Sequence, residues 1–283
     1  MLGGAPLFIN NCKSDPGFPA SLPLTIWVRA NYSYPSWTSQ VSNGSSSITT
    51  LKLESDITPT YAPTEGATQS GYVPAQFSTD LNNGKYFAVY DNTSVATYPD
   101  NLLLNNAIFS SSAGSFFCLF NADEARSPSP QVYANGNFLH DTSHALTAFG
   151  FDTDGIGCSL FDSSVGTYDK VINIACGIGA YHLAQFKWDG TNLKGRLDSN
   201  SWVSIACGPV NFNYVPAIPP GPSGAVGASN MVVGLAYGTT NANDVTGYFK
   251  GRILELGTSN TTISDTDFDN IKNYCNSRYR LSL

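Results

Sequence analysis

The sequence predicts an all-β protein, an antiparallel two-sheet sandwich finished by a short C-terminal α-helix. Three observations carry this. Turn dipeptides recur at Asn43-Gly44, Asn83-Gly84, Asn135-Gly136, Asp154-Gly155 and Asp189-Gly190, pairs that tolerate the positive φ of tight hairpins. Between the turns lie about a dozen short apolar or aromatic segments without helical spacers, the pattern of antiparallel rather than parallel strands. The composition is 42% hydrophobic and 12% aromatic but only 12% charged, roughly half the usual charged fraction of a soluble domain.

Residues 1–21 hold Pro6, Pro16 and Pro19, which discourage regular structure, and read as an N-terminal arm. Residues 22–283 read as one domain, since sandwiches of about 200 to 250 residues routinely remain undivided and no flexible linker interrupts the chain. Strand character runs through LTIWVRA, GYVPAQFS, KYFAVYD, GSFFCLFNA, ALTAFGFD, IGCSLFD, KVINIACG, YHLAQFKWD, NLKGRLD, WVSIACG, MVVGLAYG and GYFKGRILELG. The clearest unit is residues 180–206, a three-stranded meander turning at Asp189-Gly190 and at Asp198 to Ser201. Within it Leu183, Gln185 and Lys187 alternate with Ala184, Phe186 and Trp188, so one face is expected buried and the other wet. Residues 31–71 give weak strand signals. Residues 208–230 carry Pro209, Pro216, Pro219, Pro220 and Pro222 and read as a long surface loop, because proline cannot donate to a ladder.

The final helix is well signalled. Ser264 is placed to cap it, Asp267 stands at the third helical position, and Ile263 before the cap can staple to Phe268. Phe268, Ile271, Cys275 and Tyr279 recur at three- to four-residue spacing and form one apolar stripe, while Asp269, Lys272 and Asn273 are expected to face water. So short a helix depends on docking.

The net charge is −7, with Lys250, Arg252, Lys272, Arg278 and Arg280 gathered near the C-terminus. A nucleic acid would want a positive stripe across the fold, so it is not an expected partner. The basic C-terminus reads as complementing the helix dipole. The N-terminus lacks a basic start, and its apolar stretch is broken by Gly3, Gly4 and Pro6, unlike a secretory signal, and no later segment is long enough to span a bilayer as a helix. The six cysteines, at 12, 118, 158, 176, 207 and 275, lack zinc or redox spacing. Most sit in apolar runs, where a free thiol packs as a small hydrophobe. Whether any are bridged is left open.

No catalytic constellation is legible. GCSLF at 157–161 fails the nucleophile-elbow pattern at its second glycine. His140 and His144 stand four apart, but in a segment reading as loop entering strand and without the glutamate of a metalloprotease helix; His182 lies in the meander. Asp152 and Asp154 in FDTDGIG are weak calcium candidates, because hard cations gather oxygens from compact turns, although Asp154-Gly155 is sufficiently explained as a hairpin. No metal or cofactor is otherwise expected. Trp27 and Trp188 read as core. Trp37, Trp202 and Tyr214, beside Asn- and Ser-rich segments, fit either glycan-binding platforms or core, and the sequence leaves both open.

FKGRILELGTSN followed by the capped ISDTDFDNIKNYCNSRY resembles the C-terminal end of concanavalin A-like, laminin G-like jelly-roll domains, found in many bacterial surface and phage proteins. LTIWVRANYS, WTSQVSNGSSS, VPAQFST, HLAQFKWDGTNLKGRLD and MVVGLAYG resemble, in order, further pieces of that fold, over roughly residues 22–281. The resemblance implies that the last strand pairs near the first and that the helix covers an edge. Glucanases of this superfamily carry Glu-x-Asp-x-Glu on one strand, as two-carboxylate hydrolysis requires. Here RILELGT has one carboxylate, Glu255, among only four glutamates, at 54, 65, 124 and 255. Glu255 is therefore expected to pair with a base such as Arg252 or Arg29. The function implied is that of a non-enzymatic bacteriophage virion protein, a head decoration or tail-associated component. It would contact other virion proteins or itself and would be able to touch host glycans. A stand-alone carbohydrate-binding module or lectin is the alternative, and a glycoside hydrolase the third reading.

Overall fold

The computed structural model describes residues 22–24, 26–29, 46–47, 63–65, 76–80, 85–90, 102–104, 113–123, 137–141, 147–152, 155–162, 167–207, 231–233, 236–237, 245–246 and 251–283. The first half contributes β1 (Ile26–Arg29), β2 (Ser46–Ser47), β3 (Pro63–Glu65), β4 (Gln76–Asp80), β5 (Lys85–Tyr90), β6 (Leu102–Leu104), β7 (Gly114–Ala122) and β8 (Asn137–Asp141). Then follow β9 (Thr147–Asp152), β10 (Gly155–Asp162), β11 (Thr167–Ala175), β12 (Tyr181–Trp188), β13 (Asn192–Leu197) and β14 (Val203–Ala206). The chain closes with β15 (Met231–Val233), β16 (Ala236–Tyr237), β17 (Val245–Thr246), β18 (Gly251–Ser259) and α1 (Asp265–Tyr279).

Every strand pair described is antiparallel. One sheet runs β14-β13-β12-β7-β18-β5-β4-β2, the other β11-β10-β9-β8-β15-β6-β3, and β16 and β17 make a separate ribbon. β18 is the organising strand. It pairs along its length with β7 on one side, while on the other its first residues pair with β5 and its last with β1. First and last strands are thus neighbours, as the sequence resemblance implies.

The predicted meander is present as β12, β13 and β14. Asp189 shapes its first turn by accepting from the N–H groups of Thr191 (2.8 Å) and Asn192 (2.7 Å), followed by Gly190 at φ 80°. This is the local chemistry that makes Asp-Gly a turn signal. Asp198, at φ 55°, makes the second turn. β9 and β10 meet with Asp152 opposite Gly155, the register of a tight hairpin.

Along β7, β12 and β18 the first sheet is buried on both faces. Toward the second sheet it turns Phe116, Cys118, Phe120, Ala184, Phe186, Trp188, Leu193 and Leu197, all buried. Phe116 and Phe186, opposite one another on β7 and β12, stack with centroids 6.4 Å apart. Ile172 of β11 closes the layer, reaching to 3.2 Å of where a Cβ on Gly195 would stand. The other face is not wet, as simple alternation predicts: Gln185, Lys187 and Arg196 on it are buried because α1 lies across them. Phe117, Leu119 and Leu183 of the sheet pack with Phe268, Ile271, Tyr274, Cys275 and Tyr279 of the helix. Complete burial of side chains such as Phe268 and Ile271 stabilises by about 1.5–3 kcal/mol each. Gly257 makes room for this layer, since a Cβ there would stand 2.1 Å from the ring of Phe117 directly opposite.

Helix entry follows the predicted signals. The Ser264 hydroxyl accepts from the Asp267 N–H at 3.1 Å, and buried Ile263 precedes it. The connection from β18 is anchored as well: Ser115 Oγ accepts from Ile263 N–H (2.8 Å) and donates to the Thr261 carbonyl (3.0 Å), and Thr262 Oγ1 donates to the Trp188 carbonyl (2.7 Å). Arg280, left-handed at φ 56°, ends the helix, its N–H returning to the Asn276 carbonyl. Replacing Ser264 with Ala should lower unfolding free energy by about 1 kcal/mol in urea titration, and Asp267→Ala should add little to it.

Candidate binding surface

The polar residues of the helix-covered face form a connected network. Gln185 Nε2 donates to the Phe268 carbonyl (2.9 Å) and Gln185 Oε1 accepts from Arg196 Nε (2.5 Å). Arg196 continues to Asp269 at 2.8 Å, and Lys187 pairs with Asp265 while also donating to the Ile263 carbonyl (3.3 Å). Two acids near the start of α1 therefore answer two bases of the sheet. Trp202 sits over this network, half-buried, with its ring edge-on to Phe268 at 5.4 Å between centroids. Lys187 Nζ and Arg196 Cζ lie 4.9 and 4.6 Å from its ring centre, within the range of attraction between a cation and an aromatic face. Of the three aromatics weighed as glycan platforms, Trp202 is thus engaged in helix docking; Trp37 and Tyr214 lie outside the described residues.

Glu255 has no exposed surface. Tyr279 Oη donates to its Oε1 at 2.9 Å, and Arg278 Nε stands 3.3 Å from the same oxygen. The expectation of a basic partner holds, but the base shown is Arg278 of the helix; Arg252 instead binds Asp123 at 2.5 Å. Arg29 stands opposite Glu255 in the β1–β18 register. Arg278, read from sequence as a dipole complement in the last turn, is 4% exposed and acts inside the core. Burial, then the nearby carboxylate, push the Tyr279 phenol well above its ordinary pKa, and the same two causes raise the Cys275 thiol. A glycosidase carboxylate must meet both a sugar and a second carboxyl group across an open cleft. Glu255, sealed beneath a helix and held by a guanidinium and a phenol, is built for cohesion.

At the β12 end of the meander, His182 Nδ1 lies 2.7 Å from Asp198 Oδ2, whose other oxygen accepts from the Leu183 N–H at 2.7 Å. Cys176, nearby, has its thiol pushed up to about 12 by burial and then by Asp198, the opposite of what a thiolate nucleophile needs. Cys118, Cys158, Cys176, Cys207 and Cys275 are free thiols. Among the described residues, no three His, Cys, Asp or Glu side chains gather as a metal site. Asp152 is placed in β9; Asp154 and His144 lie outside the described residues, and His140 is in β8, paired with Ala148 and Val232. The open surface near this end is the loop from Gly177 to Ala180, where Ile178 is 52% exposed.

No protein-family profile and no curated protein sequence matches the chain. Among solved structures, the receptor-binding domain of botulinum neurotoxin mosaic serotype C/D aligns with a TM-score of 0.52 at 9% identity, over 89% of this chain and 50% of that one. The botulinum neurotoxin serotype D binding domain gives 0.51 at 10% identity, over 89% and 50%. The CBM40 of the Ruminococcus gnavus IT-sialidase, bound to α2,3-sialyllactose, gives 0.40 at 11% identity, over 58% and 83%. The chain spans about half the length of the toxin domains it matches. At such identities the likeness is one of fold, and the fold is an antiparallel jelly-roll sandwich with a C-terminal helix.

Replacing Glu255 with Gln should cost about 3–5 kcal/mol in urea unfolding, because it leaves the Arg278 charge buried without its counterion. Adding Arg278→Met to that variant should restore part of the loss.

Proposed function

We propose that this chain is a non-catalytic binding module whose ligand is a glycan. The observation that carries the non-catalytic part of this reading is the sealing under a docked helix of Glu255, the one carboxylate of RILELGT, where glucanases of this superfamily carry Glu-x-Asp-x-Glu. The toxin domains that share the fold are binding domains by name, which supports the same direction. The glycan as ligand class is supported by the resemblance to the concanavalin A-like fold and by aromatic residues set among Asn and Ser in the segments of Trp37 and Tyr214.

The setting we propose is the surface of a bacteriophage particle, supported by the resemblance to jelly-roll domains of phage and bacterial surface proteins. A stand-alone lectin is the alternative, and one preparation separates the two. A virion component co-purifies stoichiometrically with particles through a density gradient; a lectin does not. On a glycan array the purified chain should bind at least one saccharide without cleaving it, and Glu255→Gln should leave the specificity unchanged. Release of reducing ends that stops in Glu255→Gln would contradict the proposal.

A further inference from the structure

The first sheet ends at β14 and β2, the second at β11 and β3, and these ends differ in how they are guarded. An exposed edge is ordinarily blunted by shortness, proline or charge, because its unpaired backbone groups invite another strand. β2 has two residues, β3 contains Pro63 and Glu65, and β11 contains Asp169 and Lys170. β14 has neither charge nor proline over Val203–Ala206, and the whole run from Ser201 to Cys207 is uncharged. It is also open: Val203 is 43% exposed, Ser204 and Ala206 are exposed, and Ile205 is half-buried.

The ladder shows which backbone groups face outward. Asn192 stands opposite Ala206, and the Cys207 N–H donates to the Thr191 carbonyl at 2.6 Å. Hydrogen-bonded and non-hydrogen-bonded positions alternate along an antiparallel pair, so Val203, Ile205 and Cys207 turn their backbone groups toward β13. Ser204 and Ala206 turn theirs to the open edge, where no strand among the described residues pairs with them. The side chains alternate as well. Val203 and Ile205, opposite Gly195 and Leu193, share the face toward the second sheet, and Ser204, opposite Lys194, lies on the other.

We infer that β14 is a dimerisation edge, pairing antiparallel with β14 of a second copy of this chain about a two-fold axis at Ser204. That axis sets Ser204 opposite Ser204 of the second copy and Val203 opposite Ile205, in both directions, as an isologous contact requires. Apolar side chains then meet on one face and hydroxyls on the other, and the outward N–H and C=O groups of the two Ser204 residues satisfy each other. Moving the register by one residue would set Val203 opposite Ala206 and put the two faces out of phase. A charged foreign strand would find no counter-charge on β14, whereas a second copy brings the same uncharged, complementary edge. The two first sheets become continuous, the geometry of strand addition. So short an edge sits at the weak end of specific interfaces, and a micromolar rather than nanomolar dimer is expected. The interface is independent of the glycan-binding reading.

Variants of the exposed Ser204 test it with little disturbance of the fold. Ser204→Pro removes an N–H that β13 does not use, the setting in which an edge strand tolerates proline. Ser204→Lys and Ser204→Glu each place like charges directly opposite one another across the axis. The full chain and the variants are followed by sedimentation equilibrium, by thermal melting and by amide exchange at several concentrations. The expected result is a reversible monomer–dimer equilibrium in the wild type and at least a tenfold weaker dimer in each variant at nearly unchanged Tm. An equimolar mixture of the Lys and Glu variants should recover the dimer, which a misfolded variant could not do. The amides of Ser204 and Ala206 should exchange fast in dilute solution and slow as the dimer forms.

A wild type that stays monomeric at millimolar concentration would overturn the proposal. A dimer that survives Ser204→Pro would place association on another surface, and a mixture of the charged variants that stays monomeric would contradict the Ser204 register. Protection of Ser204 and Ala206 in the dilute monomer would mean that another segment of the same chain holds the edge, which also overturns it.

Discussion

The structure depends on one buried contact: the carboxylate of Glu255, in the middle of the last strand, held by Arg278 and Tyr279 of the helix that follows it. A charge taken out of water is tolerated only where a counter-charge and hydrogen bonds replace the solvent. Here the guanidinium and the phenol come from the last turn of α1, about 25 residues downstream of the strand and folded back over it. The helix therefore cannot lift without stranding a carboxylate on the sheet and a guanidinium on itself. The apolar stripe of Phe268, Ile271, Cys275 and Tyr279 supplies most of the burial, and the ionic contact fixes where along the sheet that stripe must sit. At the other end of the helix, Lys187 with Asp265 and Arg196 with Asp269 repeat the arrangement closer to solvent, where such pairs contribute less.

This has a direct consequence for what the fold can do. Along most of β7, β12 and β18, one face is spent on the second sheet and the other on the helix. The flat surface that a sandwich would otherwise offer to a ligand is occupied between β12 and β18. On the proposed glycan-binding reading, recognition falls to the ends of strands and to the connections between them, where loops on a rigid scaffold ordinarily carry function.

Much of the fold was legible from local chemistry. Asp189-Gly190 and Asp198 announced the meander, and Ser264, Asp267 and Phe268 announced the helix, because turns and caps are encoded within a few residues of where they occur. The period-two alternation in HLAQFKW also assigned each residue to its correct face. What it could not reveal is the cover. Gln185 and Lys187 look like solvent residues, and the helix that buries them begins some eighty positions later, so only the three-dimensional return of the chain changes their meaning. Arg278 was hidden for a related reason: a base in a last helical turn has a sufficient local explanation, and its second role depends on a strand that only folding brings near. A signal did exist, in that two acids near the start of α1 match two bases on the buried strands, but spacing alone does not pair them. The role of Trp202 was less legible still. Trp202 stands among Asn and Ser as a binding platform would, yet its ring packs against Phe268 of the helix.

α1 is a layer of the core rather than an appendage, and native-state hydrogen exchange tests that most directly. If the ionic contact and the apolar stripe hold the helix as described, the amides from Ile271 to Tyr279 will exchange only through the opening that also exposes β7 and β18, with the same free energy and the same dependence on denaturant. Exchange of those helix amides through a separate, lower-energy opening, while β7 and β18 stay protected, would contradict it.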